Sequence, residues 1–433
     1  MERTRTVECP SRVGQRVRVT GWLHTIRRLG GLAFFVLRDG WGTIQGVTEN
    51  EAERRKLAAL GVESVVAVEG TVTATPQAPG GIELKEITLE VISAVTEPPP
   101  VLLHKKGSEA SLSVLLDHAV VTNRHPERRA LFRLGAAAMA GFRETLERLG
   151  ATEVQTPKLV EQATEGGAEV FEVAYFERKA YLAQSPQFYK QIMTGVFERV
   201  FEVGPVFRAE RHASARHLNE YVSLDVEFAF VESHRTVMGV LRETLAGIFA
   251  ALERRAPGEL ALLGIELPLV PEKIPELGFA EALALSHRLT GEDRRSELDL
   301  APADERALGA WALEEHGSEL LFVTGYPLRK RPFYTHPDPE RPLSSNSFDL
   351  LFRGLELVTG GQRLHRHEDY LRALAERGLE AAPFEPYLAA FRFGMAPHGG
   401  FAIGLERLIS QLARLGNVRL AALFPRDVNR LSP

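Results

Sequence analysis

Along the first 95 residues the hydrophobic positions fall in short runs with partial alternation, punctuated by glycine. The runs are 15–22 (QRVRVTGW), 32–38 (LAFFVLR), 42–48 (GTIQGVT), 64–75 and 81–92 (GIELKEITLEVI). Such alternation predicts strands that bury one face and expose the other. A polar stretch of helical composition, 49–60, falls between the third and fourth runs. Then "TEPPPVLLHKKGSEAS" (96–111) has the proline, lysine and serine content of a linker. A long helical pattern follows over 126–149, opening at Pro126 and ending at Gly150. Beyond it, strand-like and helical runs alternate to the C-terminus, with no internal repeat. The pattern therefore predicts a small β domain over 1–95, a hinge over 96–125 and a larger mixed domain over 126–433.

Five short strands with a helix after the third fit a Greek-key barrel of the OB type, a fold that often binds single-stranded nucleic acid. Charge distribution points the same way. Residues 1–48 hold eight arginines (Arg3, Arg5, Arg12, Arg16, Arg18, Arg27, Arg28, Arg38) against three acids (Glu2, Glu8, Asp39), on a chain of net charge −5. A basic module on an acidic body suits nucleic acid, although a solvated arginine face suits the count equally. Trp22, Phe34 and Phe35 supply stacking surfaces. Of the two adjacent phenylalanines, one should point into the barrel and the other out. Cys9 is the sole cysteine, so no disulfide forms within the chain and a reducing cytoplasm is expected. No run approaches the roughly 18 apolar residues of a membrane span, so no membrane partner is expected.

Three stretches of the larger domain carry candidate chemistry. In "VFRAERHASARHLNEYVSLDVEFAF" (206–230), apolar ends flank a charged middle, which predicts a hairpin with a polar tip. Asp225 and Glu227 alternate with Leu224, Val226 and Phe228, so both carboxylates share one strand face. If buried they demand a cationic or amino partner. In "SNSFDLLFRGLELVTGGQRLHRHEDY" (345–370), Asp349 and Glu356 can meet across a bend at Gly354. They read either as surface carboxylates or as hard oxygen ligands of the kind Mg²⁺ takes. The two glycines before Arg363 allow close backbone approach to a ligand. In "GGFAIGLERLISQLA" (399–413), a glycine-rich strand leads through Gly404 into a helix with Arg407 in its first turn, a place that can receive phosphate. Lys190, in "AQSPQFYKQ" (183–191), reads on its own as a solvated lysine.

In order and spacing, "FRAE", "RHLNEY", "SLDVE", "SFDL", "TGGQR", "PHGGF" and "GLER" resemble the signature motifs of class II aminoacyl-tRNA synthetases, aspartyl branch, in a compact archaeal-like layout. The resemblance covers nearly the whole chain. It implies an α+β protein, with an N-terminal OB-fold anticodon-binding barrel and a catalytic domain built on an antiparallel sheet flanked by helices. It implies ATP as substrate, Mg²⁺ as cofactor and a homodimer formed through the 126–149 helix and the strand after it. Arg208 matches the arginine on the α-phosphate and Glu210 the acid that reads the adenine amino group. Tyr221 stands under the adenine and Arg407 on its other side, while Arg216 and His217 lie along the triphosphate. Asp349 and Glu356 match the Mg²⁺ acids, with Thr359 assisting. Lys190 and Arg363 would hold the aspartate side-chain carboxylate in a pocket lined by Ser185 and Gln187. Asp225 would take the α-ammonium, and Glu165, in "TEGGAE" (164–169), would close over it.

On the barrel the resemblance assigns Phe34 to base stacking, Gln45 and Glu83 to base reading, and Arg27 to the neighbouring strand end. The sequence departs from the family at Arg28, at "HASARH" (212–217) and in the hinge. His24 and the turn at Pro79 stand where the last anticodon base is read. Their small, uncharged setting implies relaxed reading, so that both tRNA(Asp) and tRNA(Asn) are charged with aspartate and an amidotransferase converts the second product. An asparaginyl enzyme is the runner-up, and a non-catalytic paralogue that binds nucleic acid is a third reading. Lys190 argues against the former. The set Arg208, Asp349, Glu356 and Arg407 argues against the latter.

Overall fold

Five strands, β1 (Arg16–Leu29), β2 (Leu32–Arg38), β3 (Thr43–Thr48), β4 (Val65–Ala74) and β5 (Ile82–Ser93), close a barrel in the order β1-β2-β3-β5-β4. This is a computed structural model that describes residues 1–104, 110–161, 170–211 and 214–432, divided into two units, Met1–Pro126 and Glu127–Pro433. In the barrel the alternating apolar side of each strand turns inward. Val19, Leu23, Phe35, Leu37, Val66, Val68 and Leu84 are each 0–1% exposed. Phe35 fills the centre and Phe34 stays half-buried on the outside. Helix α1 (Glu51–Ala58) follows β3, capped by Asn50, whose side chain accepts from the Ala52 and Glu53 amides.

Strand β1 runs on to Leu29, past the expected end at residue 22. Its register against β2 passes from Leu23–Leu37 to Thr25–Val36, leaving His24 without an opposite residue. This bulge breaks the alternation at the point where the sequence pattern gives out. The segment expected as a hinge carries two short helices, α2 (Leu112–Asp117) and α3 (Ala119–Thr122), which group with the barrel. Elements this short show no readable period.

In the second unit α4 (Pro126–Arg148) leads to β6 (Thr152–Glu153). A small sheet of β7 (Leu159–Val160), β8 (Glu172–Tyr175) and β9 (Arg178–Leu182) precedes α5 (Gln187–Phe197). The hairpin of β10 (Arg199–Phe207) and β11 (Glu220–Ala229) comes next, then α6 (His234–Arg255) and α7 (Pro257–Leu263). The chain continues through β12 (Glu276–Gly278), α8 (Phe279–Thr290), α9 (Pro302–His316), β13 (Leu320–Thr324), β14 (Ser347–Phe352) and β15 (Leu355–Gln362). It closes with α10 (His367–Glu376), α11 (Glu385–Arg392), β16 (His398–Gly404) and α12 (Leu405–Leu412). Eight strands form one sheet in the order β12-β13-β14-β15-β16-β11-β10-β6. It is antiparallel within and parallel at both edges, where β12 pairs with β13 and β6 with β10.

Helices α4 and α6 cover one sheet face. Leu134, Phe142, Leu245 and Ile248 pack there with Phe201, Leu224, Val226, Phe348, Phe401 and Ile403 in a single apolar core. Because side chains alternate across a strand, Ser223, Asp225 and Glu227 of β11 are driven to the other face. That second face is the floor of the candidate site.

Candidate active site

A cavity of about 680 Å³ opens over this floor, lined from β11, β15, β16, α5, α9 and α12 and by residues 330–335. At one end stands Lys190. On α5, Gln187, Lys190, Gln191 and Thr194 are all buried, at helical spacing. A polar stripe thus faces inward, the reverse of an ordinary amphipathic helix. Lys190 is 1% exposed. Its Nζ donates to Asp225 Oδ1 at 3.0 Å and to the Val226 and Phe401 carbonyls at 3.3 and 3.4 Å, with Glu227 Oε2 also at 3.4 Å. Arg363 donates from Nε to Glu227 Oε1 at 3.0 Å and from Nη2 to the Gly400 carbonyl at 3.0 Å. The cationic partners required by the two β11 carboxylates are therefore Lys190 and Arg363. Burial pushes Glu227 up, but the Arg363 and Lys190 charges outweigh it and hold the carboxyl below its ordinary value. A Cβ at Gly400 would come within 2.4 Å of Glu227 Oε2, so only glycine leaves that carboxylate its place.

Lys190 and Arg363 line the cavity, together with Ser185 and Gln187, whereas Asp225 and Glu227 lie beneath them and do not. An incoming ligand meets the cations first. Gln187 Nε2 is buried without a hydrogen-bond partner, leaving a donor for a ligand. Asp225, expected on the substrate ammonium, gives one oxygen to Lys190 and accepts from Ser223 Oγ at 2.6 Å with the other. Of the glycines Gly360 and Gly361, expected to admit a ligand, Gly360 lines the cavity, and both also make room for neighbouring protein. A Cβ on the first would meet Phe348 at 2.4 Å and on the second the Asn346 carbonyl at 2.7 Å. Glu165 lies outside the described residues.

The other end gathers Arg208, Glu210, Arg216, His217, Tyr221, Glu356, Thr359, Gly404 and Arg407 around the same cavity. Asn219 ties the β10–β11 loop together, its Nδ2 donating to the Arg208 and Glu210 carbonyls at 2.8 and 3.1 Å. Arg208 lies 5.9 Å from the Tyr221 ring centroid. Arg407 donates to the Glu356 carbonyl at 2.9 Å, and its Nη1 is 3.7 Å from the Glu356 carboxylate. Burial lowers His217, whose Nδ1 is 2.6 Å from Ser214 Oγ.

On the barrel, Arg27 opposes Phe34, Val36 opposes Gln45, and Gln45 opposes Glu83 across the parallel β3–β5 pair. The four expected base-contacting residues therefore share one outer face. Gln45 Nε2 donates to Glu83 Oε2 at 3.0 Å, and Thr75 holds the other oxygen at 3.1 Å. His24 turns instead toward residues 98–104. Its Nδ1 is buried without a hydrogen bond and its ring meets His104 edge-on, at 6.2 Å between centroids. Pro79 is exposed in a tight turn.

The model of class II tRNA synthetases (D, K and N) matches residues 111–428, and that of an OB-fold nucleic acid binding domain matches residues 17–92. The chain belongs to the class II tRNA synthetases. Among its relatives, the aspartate–tRNA(Asp/Asn) ligase of Thermus thermophilus is 46% identical, covering 97% of both chains. The aspartate–tRNA(Asp) ligase of Pyrococcus abyssi is 40% identical, also over 97% of both. In structure, the asparaginyl-tRNA synthetase from Pyrococcus horikoshii complexed with asparaginyl-adenylate superposes with a TM-score of 0.92, at 33% identity and full coverage of both chains. This synthetase is thus an aminoacyl-tRNA ligase, and tRNA is its partner.

Synthetases of this family use ATP with Mg²⁺, and the donor set here suits a hard cation in part. Glu356, 39% exposed, accepts from Thr359 Oγ1 at 3.2 Å, and both face the cavity. Asp349 does not reach the wall. Arg331 covers it, with Nη2 2.8 Å from Asp349 Oδ1 but misaligned for a hydrogen bond, and with its guanidinium 3.9 Å over the Tyr326 ring. Burial and the nearby Glu356 push Asp349 up to about 6 against the pull of Arg331. Among the described residues, no three ligating side chains converge. A cation at Glu356 and Thr359 would draw further oxygens from phosphate and water, as Mg²⁺ does.

Sequence reading passed over four residues of the synthetase site. Glu227 was seen only as a strand-face acid, though it is the counter-ion of both Arg363 and Lys190. Arg331 and Glu305 carry no motif of their own, and Glu406 lies inside "GLER" without an assigned role; all three reach the cavity by tertiary packing.

Proposed function

We propose that this synthetase is an aspartate–tRNA ligase that charges both tRNA(Asp) and tRNA(Asn). The observation that carries the choice of amino acid is the pair Lys190 and Arg363, side by side on a cavity wall with their counter-ions buried behind them. A substrate carboxylate fits that wall. Asparagine offers a neutral amide and forgoes the charge-assisted bonds. Since Asp225 and Glu227 already hold the two cations, asparagine does not strand a buried charge, and its exclusion costs less than an unpaired ion would.

In this reading Ser185 and Gln187 orient aspartate, and Asp225 holds Lys190 in place. Arg208 and Arg407 hold the ATP phosphates, Tyr221 and Glu210 the adenine, and Arg216 and His217 the triphosphate. The aspartate α-carboxylate oxygen bonds to the α-phosphorus as the bond to pyrophosphate breaks. The 3′-terminal hydroxyl of tRNA then attacks the aspartyl carbonyl and AMP leaves. No side chain acts as nucleophile, so the chain contributes alignment and charge. Mg²⁺, held at Glu356 and Thr359, would supply charge neutralisation at the phosphates. Arg27, Phe34, Gln45 and Glu83 bind the anticodon.

Relaxed tRNA choice is supported by the name of the Thermus relative, the more similar of the two ligases, and by the uncharged exposed turn at Pro79. The product aspartyl-tRNA(Asn) would pass to a cytoplasmic amidotransferase. The enzyme would act as a homodimer through α4 and β6. Aminoacylation with labelled aspartate on two transcripts, one per anticodon, tests the proposal. Comparable charging is expected. Charging of tRNA(Asp) alone refutes relaxed choice, and acceptance of asparagine in place of aspartate refutes the role of Lys190.

A further inference from the structure

Helix α9 delivers a carboxylate to the nucleotide end from far along the chain. Glu305, in its first turn, is 7% exposed and lines the cavity. One oxygen, Oε2, accepts from Arg216 Nη1 at 3.1 Å and from the backbone amide of Glu356 at 3.1 Å. The two groups it joins sit on separate elements. Arg216 comes from the β10–β11 loop, and Glu356 from the start of β15.

Glu305 itself cannot drift. The β14–β15 hairpin turns at Arg353 and Gly354, with φ of 51° and 71°. A Cβ at Gly309 of α9 would lie 2.5 Å from Gly354 Cα, and one at Gly354 would lie 3.0 Å from Arg306 Cα. Helix and turn are in backbone contact, so α9 and the β15 start form one rigid piece. Arg353 locks the turn from the other side, with Nε 2.7 Å from Glu319 Oε1 and Nη1 3.0 Å from the Gln411 and Leu412 carbonyls.

We infer that Glu305 is a positioning residue for nucleotide binding: anchored by this clamp, it fixes the Arg216 guanidinium beside the triphosphate and holds the Glu356 backbone that carries the cation-binding carboxylate. The inference rests on the nucleotide half of the proposed function and is independent of the amino acid used. A fixed arginine loses less freedom when phosphate arrives than a solvated one. Glu305 acts through Arg216 and the Glu356 backbone.

Isothermal titration of the full chain with ATP and Mg²⁺ tests it, alongside KM values from ATP–pyrophosphate exchange. Glu305→Ala is expected to weaken ATP binding about tenfold while aspartate KM stays within about twofold. Glu305→Gln, which keeps an acceptor oxygen, should recover part of that loss. Arg216→Ala should weaken ATP similarly, and the double variant should be little worse than Arg216→Ala alone. Unchanged or tighter ATP binding in both Glu305 variants overturns the inference, as does an equal shift in aspartate KM. Should Glu305→Ala not fold, the Gln variant and its cycle with Arg216→Ala decide. Wild-type protein that binds ATP but shows no aspartate-dependent exchange would refute only the choice of aspartate.

Discussion

The two ends of the cavity hold their charges differently. At the amino-acid end, the side chains of Lys190 and Arg363 are 2% and 8% exposed, each backed by a carboxylate that is almost wholly buried. At the nucleotide end, Arg407 is 28% exposed and Glu356 39%. Buried, mutually neutralising charges are costly to disturb and stay in one geometry, whereas half-exposed ones are screened and adjustable. The first arrangement suits recognition of one small carboxylate. The second suits a ligand that brings its own charge and counter-ion.

Removing a charge should therefore have its largest effect at the buried end. Lys190→Met is expected to lower kcat/KM for aspartate in pyrophosphate exchange by at least about a hundredfold, with ATP affinity nearly unchanged. A drop of only a few-fold would mean that the two ends do not differ in kind. At the exposed end, Arg407→Ala should raise ATP KM about tenfold but move the urea unfolding midpoint by less than about 0.5 kcal/mol equivalent. A large loss of stability there would erase the contrast.

The smallest effect is one of pH. Burial lifts Glu406, which lines the nucleotide end, from 4.5 to about 7, while its carboxylate accepts from the Val222 amide at 3.1 Å. The folded chain thus holds a proton that the unfolded chain releases in between. Its contribution to stability is complete below about pH 4.5 and is lost as pH rises through about 7. Glu406→Gln cannot titrate, so thermal unfolding of wild type and variant should diverge in the variant's favour over that range and run parallel above it. Parallel curves throughout would show that this end has no strongly buried acid.

Periodic features were legible in the sequence. The helix expected over 126–149 is α4, and the barrel strands β2 to β5 lie where alternation put them, because each rests on local spacing. Features that depend on distant partners were not. Nothing in "PADER" (302–306) marks Glu305 as a neighbour of Arg216, and Arg331 reads as one of several arginines in a proline-rich segment. Asp225 and Glu227 could be seen to need cations, but the partners lie at positions 190 and 363. The bulge at His24 escaped for a different reason, since one unpaired residue leaves no trace in composition.

The contact between Gly309 and Gly354 has a consequence for anyone reshaping this enzyme. A helix and a turn that touch through bare backbone cannot be redesigned one at a time, because a side chain added to either finds no space to repack into. Libraries aimed at the nucleotide end must treat these two positions as a single unit. The joint between α9 and the β14–β15 turn is therefore closed to piecemeal change.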